Sequence, residues 1–398
     1  MYFIEFTLMC RVIFFIRLII SISMLSFICS AHATITCHVN GGVKYFANNI
    51  SSTVAVGPDT PVGTILYFAT LFGGASDLLY CNADWSLTMK IKVNDTGDSL
   101  RLSSSPYSPG DYYPTNVPGI GYMFIFRSNI TNTKNTFTGS SPLADITRSG
   151  NSATGYGYTM GMYLALVKTA AGPVSGNVNI NMLHPTKYYS SAAPGYAYTG
   201  DGVDSDGLTL GVFNFTGNVI VQTPSCEMGD QLVDIGDHVL NQDMKAVGDT
   251  TVWKDASVVM KNCANFTGFY SSDANGQSLR GSGTVSGGTL QSNLFSVSLT
   301  PVSTATNDGN IALTDSEGNL VNAAKGYALQ LGYTPDNLSA SATQPAKIWK
   351  PGDNWNLTVP LNSSGTIKIP LAARLIKTSS NVMPGPANAK VIVSVSYK

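Results

Sequence analysis

From Leu87 to Val93 apolar and polar residues alternate, with Leu87, Met89, Ile91 and Val93 set against Thr88, Lys90 and Lys92. A period of two puts every second side chain on the same face, as in a β-strand that buries one side. The pattern recurs along the chain. Val178, Ile180 and Met182 alternate with Asn177, Asn179 and Asn181; Trp355, Leu357, Val359 and Leu361 share a face, and so do Ile367, Ile369, Leu371, Ala373 and Leu375. Turn-forming clusters separate these runs, among them Asn94-Asp95-Thr96-Gly97, Asp201-Gly202 and Asn307-Asp308-Gly309. No segment combines a helical apolar stripe with helix caps. The pattern predicts an all-β chain of short strands packed as β-sandwiches.

A chain of 398 residues is long for one such unit and suggests two. The apolar run Val219-Ile220-Val221 is stopped by Pro224, and Cys226 opens a stretch of different character. The reading is a first domain over 34–221 rich in Tyr and Gly, a linker at 222–225 and a second domain over 226–398. No internal repeat of fixed period is present.

The N-terminal stretch is of another kind. Arg11 and Arg17 precede an apolar run from Leu18 to Cys29, followed by Ala31-His32-Ala33. This is the layout of a secretory signal peptide, and the run is too short for the ~20 residues that span a bilayer. Residues 1–33 are read as a signal, with Met9 as an alternative start, cleavage after Ala33 and a soluble, exported chain from Thr34. Cys10 and Cys29 then leave, and Cys37, Cys81, Cys226 and Cys263 remain. Four cysteines allow three pairings, which the sequence leaves open. None are spaced C-x-x-C as zinc sites require, and in an oxidising compartment they read as structural disulfides.

Composition narrows the function. Lys and Arg number 23 against 24 Asp and Glu, and charged residues make up only 12%. With no basic excess to neutralise phosphates, nucleic acid is not an expected partner. His38, His184 and His238 stand in no metal-binding spacing, no G-x-S-x-G elbow is present, and Asp201–Gly207 lacks the register of a calcium loop. Asp84 and Asp206 are two carboxylates that could form a glycosidase pair. The expectation is a protein without catalytic residues, cofactor or metal.

The C-terminal residues Asn381–Lys398 read NVMPGPANAKVIVSVSYK. Val391, Val393, Val395 and Tyr397 fall on one face of a strand. Gly385 is fourteenth from the end and Tyr397 penultimate. This spacing, with the preceding IPLAARLIKTSS, resembles the closing strands of fimbrial subunits assembled by the chaperone–usher pathway, and Cys226 and Cys263 match that family's disulfide position. The resemblance implies an immunoglobulin-like sandwich lacking its last strand, an incomplete pilin domain. A periplasmic chaperone fills its groove until, at the outer-membrane usher, the next subunit donates a strand instead. Val391, Val393, Val395 and Tyr397 would line that strand, with the Lys398 carboxylate held by basic chaperone residues. Only Thr34-Ile35-Thr36 precede Cys37 in the expected mature chain. That is too few to donate a strand, so the resemblance places the chain at a fibre tip.

The first domain resembles the lectin-like adhesin domain of type 1 fimbrial tip adhesins, also an immunoglobulin-like β-sandwich. In that family a cysteine near the mature N-terminus pairs with one about forty residues later, which implies Cys37–Cys81 and, in the second domain, Cys226–Cys263. An Asn-Asp-Tyr run follows the second cysteine there; here the residues are Asn82-Ala83-Asp84-Trp85, and Asp204-Ser205-Asp206 matches a second carboxylate loop. Ala83 replaces the family's Asn and Thr34 its N-terminal Phe, which leaves the sugar open. Carboxylates and amides bond vicinal hydroxyls, and an aromatic ring covers the apolar face of a pyranose. Asn82, Asp84, Trp85, Asp204 and Asp206 are therefore the candidate ligand residues, with Tyr188, Tyr189, Tyr196 and Tyr198 an aromatic group nearby in sequence. The resemblance implies a fimbrial tip adhesin at the cell surface that binds a host glycan. The alternatives are a tip subunit with a protein receptor, or one that only caps and initiates the fibre.

Overall fold

The computed structural model describes residues 34–95, 97–127, 133–152, 156–239 and 242–398. The predicted signal segment 1–33 lies outside them. Among the described residues one 3₁₀ turn, Ile180–Met182, is the sole helical element, and the other regular elements are strands. The all-β expectation holds.

Two apolar cores organise these strands. The first lies between two sheets. One sheet runs Tyr196–Thr199, Ile35–Val39, Ile65–Cys81, Tyr156–Lys168, Ile120–Arg127, Asp111–Pro114 and Leu100–Arg101; the other runs Lys44–Ala55, Gly207–Gln222, Thr186–Ser191, Trp85–Val93 and Leu143–Gly150. Leu87, Met89, Ile91 and Val93 are each at most 1% exposed. Burying a side chain of this size contributes about 1.5–3 kcal/mol. A one-residue slip would put Thr88, Lys90 and Lys92 inside instead, so the alternation fixes the register of the strand.

The alternation from Asn177 to Met182 gives a strand only as far as Asn179. The Asn179 side chain accepts from the Asn181 N–H at 3.1 Å, a local bond that competes with the ladder. The chain turns there, burying Ile180 and leaving Met182 60% exposed.

In the second core Leu294–Pro301 lies between Asn354–Thr358 and Val391–Tyr397, Val258–Phe266 pairs with Ser363–Ile369, and Tyr327–Tyr333 pairs with Leu371–Lys377. The apolar face from Ile367 to Leu375 is buried throughout. It nevertheless serves two sheets, because Pro370 has no N–H to continue a ladder. Leu361 lies beyond its strand and is 39% exposed.

Both disulfides are local. Cys37 and Cys81 sit opposite one another on neighbouring strands, and Cys226 is joined to Cys263. Thr223 ties the join to the first half through a hydroxyl bond to the Val174 carbonyl at 2.8 Å. Ser225 faces the second, accepting from the Ala264 N–H at 3.0 Å. The second half also reaches back, since Phe269, Tyr270 and Val285 are buried in the first core.

Candidate functional site

The last strand, Val391–Tyr397, pairs antiparallel with Leu294–Pro301, Val395 opposite Val297 and Val393 opposite Leu299. The N–H and C=O of Lys398 both bond to Leu294, at 2.8 and 2.7 Å. Bonded and non-bonded pairs alternate in such a ladder, so Ile392, Ser394 and Ser396 turn their backbone groups towards this neighbour. Those of Val391, Val393, Val395 and Tyr397 point to the other edge, along which no strand is paired among the described residues. The side chains of the same four residues are half-buried against the second core. At Val391, Val393 and Val395 this edge presents both open backbone groups and an apolar row, the two things an added strand needs.

Gly385 acts on the approach to that strand. A Cβ there would lie 2.8 Å from the Ala324 nitrogen and 2.9 Å from the Asn322 oxygen. Its absence lets the chain lie against this loop, where the Ala324 N–H donates to the Pro386 carbonyl at 2.9 Å.

The second place of interest belongs to the first sandwich. The strand Gly207–Gln222 begins at the Asp204–Asp206 turn and leads to the join; its 16 residues cover roughly 50 Å. The turn is thus at the end of the sandwich remote from Cys226. Lys92 and Lys187 are directly opposite on neighbouring strands, a like-charge pair that needs compensation. Asp206 supplies it by contacting both ammonium groups. Asp204 accepts from Lys187 at 2.7 Å, from the Thr209 hydroxyl at 3.2 Å and from the Asp206 N–H at 2.9 Å. Burial works against the charged form of both carboxylates, but the lysines and these donors outweigh it and hold both below the usual carboxylate value. Beneath them Tyr189 is buried, and burial together with Asp206 and Asp204 pushes its phenol up to about 12.

Beside this cluster lies an open cleft of about 530 Å³ lined by Gly41, Gly42, Tyr45, Asn94, Asp201 and Asp204, among others. Tyr45 is 67% exposed. Gly202 has φ +91°, and a Cβ there would stand 2.5 Å from the Thr209 carbonyl oxygen and 2.7 Å from Val43. Glycine is what lets the Asp201 turn fold down to form one wall. Carboxylates, an amide and an exposed ring around an open polar cleft suit a hydroxyl-rich ligand.

Of the candidate ligand residues, Asp204 and Asp206 are brought together, and the other three lie elsewhere. Asn82 is joined to Thr36 in both directions, accepting from its N–H at 2.8 Å and donating its own N–H to the Thr36 carbonyl at 3.0 Å. Asp84 is exposed and accepts from the Ser152 N–H at 3.3 Å. Trp85 is 3% exposed and belongs to the first core. Tyr196 and Tyr198 bond within the sandwich, to Ser86 and to Ser190 and Ser191. Tyr45 and Lys187 carried no signal in the sequence, and Asp201 and Lys92 were read there only as a turn residue and a polar strand position. Lys92 and Lys187 are 95 positions apart, and only strand pairing makes them neighbours.

No family model matches the sequence, and none of the curated proteins matches it. Among solved structures, the chain resembles the CupB6 tip adhesin from Pseudomonas aeruginosa, with 14% identity and a TM-score of 0.32, over 91% of this chain and 95% of that one. It also resembles the receptor-binding domain of the plasmid-borne adhesin MrkD1P of Klebsiella pneumoniae, at 21% identity and a TM-score of 0.28, over 49% and 99% of the two chains. A third is the CsuC–CsuE chaperone–tip adhesion subunit pre-assembly complex of Acinetobacter baumannii, at 13% identity and a TM-score of 0.21, over 90% and 99%. Likeness this distant carries no functional conclusion for this chain.

Proposed function

We propose that the chain is an adhesin carried at the tip of a chaperone–usher fibre. In this reading residues 34–221 contain the receptor-binding sandwich, 222–225 the linker and 226–398 an incomplete pilin domain. The observation that carries it is the free edge of Val391–Tyr397, where an apolar row and the backbone groups of Val391, Val393 and Val395 await a strand. A strand from a periplasmic chaperone, later exchanged at the usher for one from the next subunit, has the chemistry to fill it. Ile35–Val39 is already committed to the first sheet and disulfide-bonded through Cys37, so those residues are not free to serve as a donor.

For the ligand we propose a glycan bound in the cleft beside Tyr45, Asp201 and Asp204, remote from the join. No catalytic role, metal or cofactor is assigned. Co-expression with a fimbrial chaperone tests the first part: the reading expects a stable 1:1 complex, and failure to form one with any chaperone of this class contradicts it. A glycan array probed with the chain in that complex tests the second. Binding to a defined sugar supports the lectin reading; silence across the array with retained binding to host cells moves the assignment to a protein receptor.

A further inference from the structure

The 27 residues between Phe266 and Leu294 leave the second sandwich and run across the first. Gly268 accepts from the Ala55 N–H at 2.8 Å, and Phe269 and Tyr270 enter the first core, each 7% exposed. Gln277–Arg280 then pairs parallel with Ala69–Phe72 of one sheet, and Gly283–Thr284 pairs parallel with Asn48–Asn49 of the other. Val285 follows, 2% exposed in the same core, its N–H bonded to the Asn49 carbonyl at 2.8 Å. The segment returns at Asn293, whose amide donates to the Ala55 carbonyl at 2.9 Å.

The segment does for the first sandwich what an edge strand does. It lies on Ile65–Cys81 where Ile35–Val39 does not reach, since that strand pairs only with Leu79 to Cys81. It also covers Lys44–Ala55, which without it is an outermost strand. Its contacts are specific. Tyr67, buried in the first half, donates to Gln277 at 2.8 Å, and the Gln277 amide reaches the Tyr270 hydroxyl at 3.3 Å. Lys134 of the first half pairs with Asp273, and Arg280 lies over the Phe72 ring at 5.0 Å. Ser278, Ser282 and Thr284 face water. The inner side is apolar or bonded and the outer side polar, as a strand in its native place should be.

We propose that residues 267–293 are a built-in strand complement for the first sandwich, supplied by the second half of the same chain. The folded receptor-binding unit is then 34–221 together with this strap, and the halves are joined by two sheet ladders in addition to the linker. The strap ends one residue before Leu294, which pairs with Lys398 beside the open edge, so its root is continuous with the strand that neighbours that edge. If the second half is the fibre-attached part, as proposed above, tension reaches the first sandwich through the strap as well as through 222–225.

The test uses the full chain and needs neither ligand nor partner strand, so its outcome is independent of the functional reading. Thr70 and Ser278 are paired in register and neither is buried. The double variant Thr70→Cys with Ser278→Cys should form a third disulfide under mild oxidation, found as a linked peptide in more than half of the chains. Val285→Asp should speed amide exchange at 46–50 at least tenfold while leaving 327–333 of the second core unchanged. Absence of the linked peptide, or unchanged exchange at 46–50 in Val285→Asp, overturns the proposal.

Discussion

Asp59 and Tyr397 are bonded twice across the join of the two halves: the Asp59 N–H donates to the Tyr397 carbonyl at 3.1 Å, and the Tyr397 N–H donates to the Asp59 carboxylate at 2.9 Å. The last rung of the open edge is thereby already occupied by the first half. An incoming strand can pair beside Val391, Val393 and Val395 and must stop there.

Asp59→Ala removes the carboxylate bond and keeps the backbone one. Because Asp59 is exposed, the expected loss is about 1.5 kcal/mol, the lower end for a bond to a charged group. Amide exchange at Tyr397 should rise about tenfold, and Asp59→Asn, which keeps an acceptor, should restore part of the protection. Unchanged exchange at Tyr397 in the Ala variant would show that the contact does not form in solution.

Val393→Asp and Val395→Asp should each abolish capture by the chaperone, because strand addition would bury an unpaired carboxylate in an apolar row. Ile392 is on the other face and 52% exposed, so Ile392→Asp should leave capture within a few-fold of the parent. Co-purification from the periplasm reads both results.

The strands were legible in the sequence because one-sided burial leaves a period of two, as in Leu87 to Val93. The last strand was legible because Val391, Val393, Val395 and Tyr397 alternate without interruption, whereas its open edge was implied only by the resemblance to chaperone–usher subunits. The candidate ligand residues were less so. Trp85 continues the buried series Leu87, Met89 and Ile91 two positions upstream, and that period, followed through, places it in the core. The Lys92–Lys187–Asp206 cluster depends on strand order and register, which alternation does not reveal. The strap left no signal either: Gln277 to Val285 reads as a Gly- and Ser-rich loop, and its role depends on which edges it meets.

Asp204 and Asp206 should make the remote turn sensitive to acid. Their folded values lie below the ordinary carboxylate value, so each contributes stability that is complete above the unfolded value near 4 and is lost as pH falls through that value to the folded one. Protection of the Ala192 amide, which donates to the Asp206 carbonyl, relative to its intrinsic exchange rate should fall below about pH 4. In Asp206→Asn that acid step should shrink, and an identical pH profile in the variant would remove the Lys92–Lys187–Asp206 cluster as its cause.

At the cleft, Asp204→Ala and Tyr45→Ala should each weaken ligand binding by roughly tenfold, about 1.4 kcal/mol. Asp84→Ala should leave it unchanged, since Asp84 bonds Ser152 and is not among the residues lining the cleft. Binding to the array glycan, or to host cells, measures this. Loss in Asp84→Ala with no loss in Tyr45→Ala would move the site to the Cys81–Trp85 loop.

The central claim is that Val391–Tyr397 is an acceptor edge, and amide exchange at Val391, Val393 and Val395 tests it most directly. These three N–H groups point away from Leu294–Pro301, so in the chain without a partner they should exchange at least a hundredfold faster than those of Ile392, Ser394 and Ser396. In complex with a chaperone, or with a donor strand fused in its place, the two sets should become equally slow. Equal protection of both sets before any partner is added would contradict the claim, because the edge would then be closed by the chain itself.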